Sequence, residues 1–232
     1  MRVGVRTVTA VLLAVGLAGC NPGVSAGGDA KPSLPGQGKG GAQGAQGAPA
    51  LPGLSTAAVA RSQLGGLKMA GQQAMTGYSR EKFTHWSSQG DSCDTREVVL
   101  ERSGKGVKRD AACKAVSGTW VSVYDGITVT DAGKLDIDHM VPLANAWRSG
   151  AGAWTAERRK DFANDLTRPQ LLAVSAATNR GKGDQGPEDW QPPAKGYWCT
   201  YATAWTNVKS TYQLTVTEAE KKKLTEMLET CS

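Results

Sequence analysis

Histidine is scarce in this chain: His85 and His139 are the only two in 232 residues. So few imidazoles exclude a histidine-rich zinc or nickel centre. No two of the five cysteines have Cys-x-x-Cys spacing, which sets aside a zinc knuckle. Phenylalanine occurs twice against seven tryptophans, so the aromatic mass of any core comes largely from indoles. The apolar run Val8 to Ala18 is too short to cross a bilayer as a helix. Between residues 21 and 54 large apolar side chains are almost missing, and nothing there can offset the entropy of ordering the backbone.

What is present at the N-terminus has the layout of an export signal. Arg2 and Arg6 precede the apolar run, and the run ends in Leu17-Ala18-Gly19-Cys20. That ending resembles a bacterial lipobox, which implies cleavage before Cys20, lipidation of its thiol and anchorage on the outer face of the cell membrane. Full secretion is the alternative. Residues 21–54, with the near-repeat from Gly41 to Ala48, read as a flexible spacer. Removing Arg2 and Arg6 with the signal lowers the formal charge from +6 to +4. The remainder is mildly basic, which is compatible with a polyanionic partner without identifying one.

Residues 55–232 are long enough for one domain with its own core. Four cysteines remain there, and an even number in an exported chain suggests two disulfides. Of the three possible pairings, the sequence-local set Cys93–Cys113 and Cys199–Cys231 closes a modest loop in each subregion.

Residues 57–75 have loose helical spacing with a weak point at Gly65-Gly66. His85, beside aromatic residues and far from any acidic cluster, reads as structural. The segment Cys93 to Arg102 opens a strand or short helix, with Asp94 and Arg96 as a local pair. Cys113 to Val123 predicts a hairpin turning at Ser117-Gly118. Ile127 to Thr130 alternates as a half-buried strand, and Leu135 to His139 follows as another. Helices are expected over Leu143–Arg148 and Thr155–Asn164, a strand over Gln170–Ser175, and a helix from about Thr178-Asn179. Trp190, flanked by prolines, reads as a packed residue. Tyr197–Lys209 and a helix capped by Thr217 and Glu220 complete the chain.

The chemistry concentrates in Leu135-Asp136-Ile137-Asp138-His139-Met140-Val141-Pro142 and Asn179-Arg180-Gly181-Lys182-Gly183-Asp184. Oxygen ligands, an imidazole base and nearby cations are the parts of metal-assisted phosphodiester hydrolysis. By the period of two, Leu135, Ile137 and His139 share one strand face while Asp136 and Asp138 share the other. Asp138 and His139 can act together only if the strand bends or ends there, which Pro142 would help. In a regular strand the two acids form one face and His139 points inward.

Together the two motifs resemble the HNH endonuclease family, including the HNH domains of RNA-guided CRISPR nucleases. From Arg80 to the C-terminus the chain is similar to exported actinobacterial HNH proteins related to the C-terminal domain of GmrSD-type restriction enzymes. The resemblance implies a ββα-metal core. With the helices expected between and after its strands and the two suggested disulfides, the fold class is α+β. The helical insertion between the strands departs from the compact motif of the family. It implies His139 as general base and Asp138 and Asn179 as metal ligands, with Asp136 and Asp184 as further ligand or orienting candidates. Hard oxygen ligands favour Mg2+ or Mn2+.

Arg180 and Lys182 are candidate phosphate contacts, and Arg148 is a third. For Arg148, Arg158 and Arg159 a solvated helix face is the competing reading. The implied substrate is nucleic acid, DNA first and RNA second, cut with little sequence preference. The expected partners are that substrate and, through Cys20, the membrane; no protein partner is expected. The alternative is a non-catalytic lipoprotein that binds nucleic acid or an envelope polymer.

Overall fold

A computed structural model of the chain describes residues 50–232. The readings for the signal, Cys20 and residues 21–49 lie outside the described residues. Packing begins at Leu51 and Leu54, which lie against the main core ahead of the expected boundary at residue 55.

Helix α1 (Ala57–Gly66) starts at Thr56, whose hydroxyl accepts from the Val59 amide, and stops at the expected glycine pair. After a single turn at Arg80–Lys82 come two short strands, β1 (Ser88–Gly90) and β2 (Cys93–Asp94). Helix α2 (Thr95–Ser103) follows at once. Asp94 does not pair with Arg96. Its carboxylate caps α2 by accepting from the Glu97 amide at 2.9 Å, while the Arg96 guanidinium donates to the carbonyls of Ala132 and Leu135 at 3.1 Å each.

Strands β3 (Gly104–Arg109), β4 (Ala115–Val121) and β5 (Thr128–Val129) form an antiparallel sheet in that order. The expected turn at Ser117-Gly118 is not there: β4 runs straight through it. Gly118 is needed for another reason. A Cβ on it would come within 2.6 Å of the Trp120 ring, and one on Gly104 within 2.5 Å, so both glycines make room for this indole. Trp120 is buried and donates its Nε1–H to the Leu100 carbonyl. The chain turns instead at Asp110, whose carboxylate accepts from the Ala112 and Lys114 amides.

Strand β6 (Leu135–His139) pairs antiparallel with β7 (Leu171–Ser175), in register from Leu135↔Ser175 to His139↔Leu171. Between them lie α3 (Leu143–Arg148) and α4 (Ala156–Ala163), the latter capped by Thr155. Helix α5 (Ala176–Lys182) leaves β7 directly, two residues before the expected start, because Ser175 already caps it. Helices α6 (Trp198–Tyr212) and α7 (Glu218–Leu228) complete the described chain, α7 with the capping box of Thr217 and Glu220.

Disulfides join Cys93 to Cys113 and Cys199 to Cys231. The fold is α+β, and none of the described helices is long and apolar enough to cross a membrane.

The β6–β7 pair has apolar clusters on both faces. Leu135, Ile137, Leu171 and Ala173 join Val99, Leu100 and Trp120 on one side. Leu172 and Val174 face the larger cluster that contains Met140, Tyr124, Tyr201 and Trp205. The alternation of β6 therefore decides where each polar side chain goes. Asp136 and Asp138 fall on the side covered by α5, and His139 falls on the other.

Candidate active site

The strand stays regular as far as His139, then ends, and Asp138 and His139 border one cavity from its terminus. This polar cavity of about 230 Å³ is also lined by Asn179, Arg180 and Asp184 from α5 and its exit, and by Tyr78 and Arg80.

On α5, Asn179 and Lys182 are three residues apart and share a helix face. They meet the alternate residues Asp136 and Asp138 of β6. Asn179 donates its Nδ2–H to Asp136 Oδ2 at 3.2 Å. A carboxylate can only accept, so this bond turns the Asn179 amide oxygen free as an acceptor. Arg180 Nε lies 3.7 Å from the same Asp136 oxygen, and its side chain is largely exposed.

Lys182 is wholly buried. Its Nζ donates to Asp138 Oδ2 at 2.5 Å and to the carbonyls of His139 and Met140 at 2.9 Å each. All three of its protons are committed inside the protein. The expected phosphate contact at Lys182 is therefore corrected: the ammonium faces a buried carboxylate, not solvent.

Asp138 accepts a second hydrogen bond on Oδ2, from the Tyr124 hydroxyl at 2.5 Å. Burial raises its pKa and the Lys182 charge opposes the rise, while burial lowers the Lys182 pKa and Asp138 opposes the fall. Burial and then the Asp138 charge push the Tyr124 hydroxyl well up, which keeps it a donor. Among the described residues no side chain or amide donates to Asp138 Oδ1. One oxygen of Asp138 is thus held and the other is left to the cavity.

His139 is also buried, and its Nε2 lies 2.9 Å from the Ala163 carbonyl. A carbonyl only accepts, so Nε2 carries the proton and Nδ1 keeps the lone pair. The Trp86 indole stacks on the imidazole at 5.8 Å and 27°. Trp86 itself has φ +58°, a left-handed backbone that a bulky residue seldom adopts. Burial pushes the His139 pKa down to about 3, the Ala163 carbonyl opposes this, and the Arg80 charge adds to the depression.

Arg148 is tied to Asp184. Its two terminal nitrogens donate to the Asp184 side chain and backbone oxygens at 2.6 Å. That corrects its reading as a free phosphate contact. Arg158 packs on Trp154 and donates to the Tyr212 carbonyl, and Arg159 donates to the carbonyls of Lys82 and Trp154. His85 binds the Phe83 carbonyl through Nδ1, and Trp190 packs edge-on against Tyr124 and Tyr201.

The oxygens of Asp138 and Asn179, hard and open to a polar cavity, suit a small divalent cation that keeps most of its water. No group of three or more histidine, cysteine or acidic side chains able to hold a metal occurs among the described residues. Any protein-held site here is therefore sparse.

A sequence profile of the GmrSD restriction endonucleases, C-terminal domain, matches residues 95–227. The chain belongs to this family. It is also 54% identical over 178 residues to a protein of Arthroderma benhamiae described as an "Uncharacterized secreted protein", covering 77% of this chain and 87% of that one. This relative is fungal, whereas the motifs suggested actinobacterial ones. No solved structure matches.

The family match spans β6, β7 and α5, with Asp138, His139, Asn179 and Tyr124. Tyr78, Arg80 and Trp86 precede it, yet tertiary packing brings them to the same place. Sequence reading missed Tyr124, Trp86 and the Ala163 carbonyl as site groups. Tyr124-Asp125-Gly126 has the look of a turn, and it is one; nothing local signals that its phenol reaches Asp138.

Proposed function

We propose that this protein is an exported, divalent-metal-dependent endonuclease of HNH type that hydrolyses phosphodiester bonds of DNA, with RNA as a second substrate. The observation that carries this reading is the neutral His139, which lines the cavity together with Asp138 and Asn179 and whose Nδ1 is the ring nitrogen not held by the Ala163 carbonyl. Membership of a family named for restriction endonucleases supports it.

In this reading His139 Nδ1 takes the proton of the attacking water, while the Nε2–H bond to Ala163 and the Trp86 stack hold the ring in one orientation. Burial disfavours the imidazolium in the resting protein. An anionic phosphate in the cavity works the other way and raises the basicity of Nδ1 as substrate binds. Asp138 Oδ1 and Asn179 Oδ1 would hold Mg2+ or Mn2+, which supplies neutralisation of charge at the phosphate and the leaving 3′ oxygen. Tyr124 and Lys182 fix the other Asp138 oxygen, and Asp136 fixes the Asn179 amide. Both are orienting bonds behind the ligand atoms.

The expected signal and the name of the fungal relative support export. Lipidation of Cys20 is the proposed anchor. A second reading, a non-catalytic nucleic-acid-binding lipoprotein, is favoured by one observation: Lys182 already neutralises Asp138.

Plasmid cleavage separates the two readings. The purified protein is incubated with Mg2+ or Mn2+, with and without a chelator, beside His139→Ala. Cleavage that needs both the metal and His139 is expected. Plasmid left intact under either metal by a folded protein would sink the nuclease and leave the binder.

A further inference from the structure

Removing Lys182 and Arg148 from the list of phosphate contacts leaves the cavity with two lining cations, Arg80 and Arg180. Arg180 shares the Asp136 carboxylate. Arg80 is exposed, and among the described residues its guanidinium has neither a carboxylate within ion-pair distance nor a hydrogen-bonded carbonyl. The Tyr78 hydroxyl, on the same wall, likewise has no hydrogen-bond partner among the described residues. Burial raises its pKa, so it remains a donor.

The wall that carries this pair is built firmly. Phe83 is buried behind it and sets the turn by donating its amide to the Arg80 carbonyl at 3.0 Å. Tyr78 packs edge-on against Trp147 at 5.7 Å, and Phe83 does so against Trp147 and Phe162. Arg159 donates to the Lys82 carbonyl at 3.1 Å. Aromatic packing onto α3 and α4 thus holds two uncommitted donors at the cavity, and a planar guanidinium offers two parallel N–H groups to an oxyanion.

We propose that Arg80 and the Tyr78 hydroxyl form the phosphate subsite of this cavity, binding the non-bridging oxygens of the phosphodiester presented to His139. This deepens the nuclease reading and rests on it, and the test keeps the two apart. The full chain carrying His139→Ala serves as a non-cleaving parent, and its affinity for a fluorescein-labelled DNA duplex is measured by anisotropy across a salt series. Adding Arg80→Ala should weaken binding about tenfold and lower the salt slope by about one. Arg80→Lys should restore part of the affinity, and Tyr78→Phe should cost a few-fold. Lys82→Ala, the same charge change two residues on and over Trp147 instead of the cavity, should leave binding within about twofold. In the His139 protein, Arg80→Ala should lower kcat/KM with an unchanged melting temperature.

Unchanged affinity and slope in Arg80→Ala would overturn the subsite even if the wild type cleaves DNA. DNA binding that depends on Arg80, from a wild type that never cleaves, would keep the subsite and remove the catalytic reading. A parent that binds no duplex would overturn both.

Discussion

Lys182 and Asp138 form an ion pair closed off from solvent, Nζ to Oδ2 at 2.5 Å, and it fastens α5 to β6 where the cavity begins. A strand residue and a helix residue that sequence suggested as ligand and phosphate contact are therefore partners of each other. The pair leaves one Asp138 oxygen for the cavity and holds the other.

Lys182→Met should be costly. It strands a buried carboxylate that keeps only the Tyr124 hydroxyl, and breaking such a pair from one side costs about 3–5 kcal/mol. Urea unfolding reads this. Adding Asp138→Asn should recover much of the loss, since no charge then remains buried. A loss below about 1 kcal/mol in the single variant would mean that the pair does not matter to stability.

His139 makes stability depend on pH. The folded pKa is depressed to about 3 from an ordinary 6.5, so between those values the unfolded chain binds a proton that the folded one refuses. The contribution is complete above pH 6.5 and is lost as pH falls toward 3, at about 1.4 kcal/mol per pH unit. Urea unfolding at pH 7 and pH 5 should show a larger loss for the wild type than for His139→Gln. Equal losses would mean that the imidazole charges within the fold.

Asn179→Ala should raise the Mg2+ or Mn2+ needed for half-maximal cleavage by about tenfold or more. Calorimetric Mn2+ titration should weaken in parallel. Asp136→Asn frees the amide without deleting it and should have the smaller effect. Unaltered Mn2+ affinity in Asn179→Ala would remove that residue as a ligand.

Replacing Cys93 and Cys113 together by alanine should lower stability by about 2–4 kcal/mol through the unfolded chain. The bridge pins the β3–β4 turn to β2 and none of its residues lines the cavity. Cleavage well below the melting point should therefore survive, and calorimetry with a cleavage assay checks both halves.

Much of the fold was legible because it rests on local rules. Thr217 and Glu220 cap the last helix as their spacing suggests, the helix expected from Thr155 is there, and the alternation of Leu135 to His139 survives as a regular strand. Ser117-Gly118 misled because a glycine in a strand has two uses. Turning and yielding space to an indole look alike until the partner, Trp120, is placed. Asp94 and Arg96 misled for a similar reason: an acid just before a helix caps it, and a long guanidinium reaches distant carbonyls more readily than its neighbour.

By itself the sequence determined the two motifs and the alternation of Leu135 to His139, because both are properties of residues adjacent in the chain. That β6 stays regular as far as His139, with Asp138 and His139 on opposite faces, came from its pairing with β7. Only the tertiary structure decided what each cation does. Burial turned Lys182 inward to Asp138, a helix exit paired Arg148 with Asp184, and aromatic packing left Arg80 uncommitted on the cavity wall. A lysine or arginine carries the same charge wherever it stands in the chain. Whether that charge meets a buried carboxylate or open solvent depends on residues distant in sequence, and the fold alone brings those together.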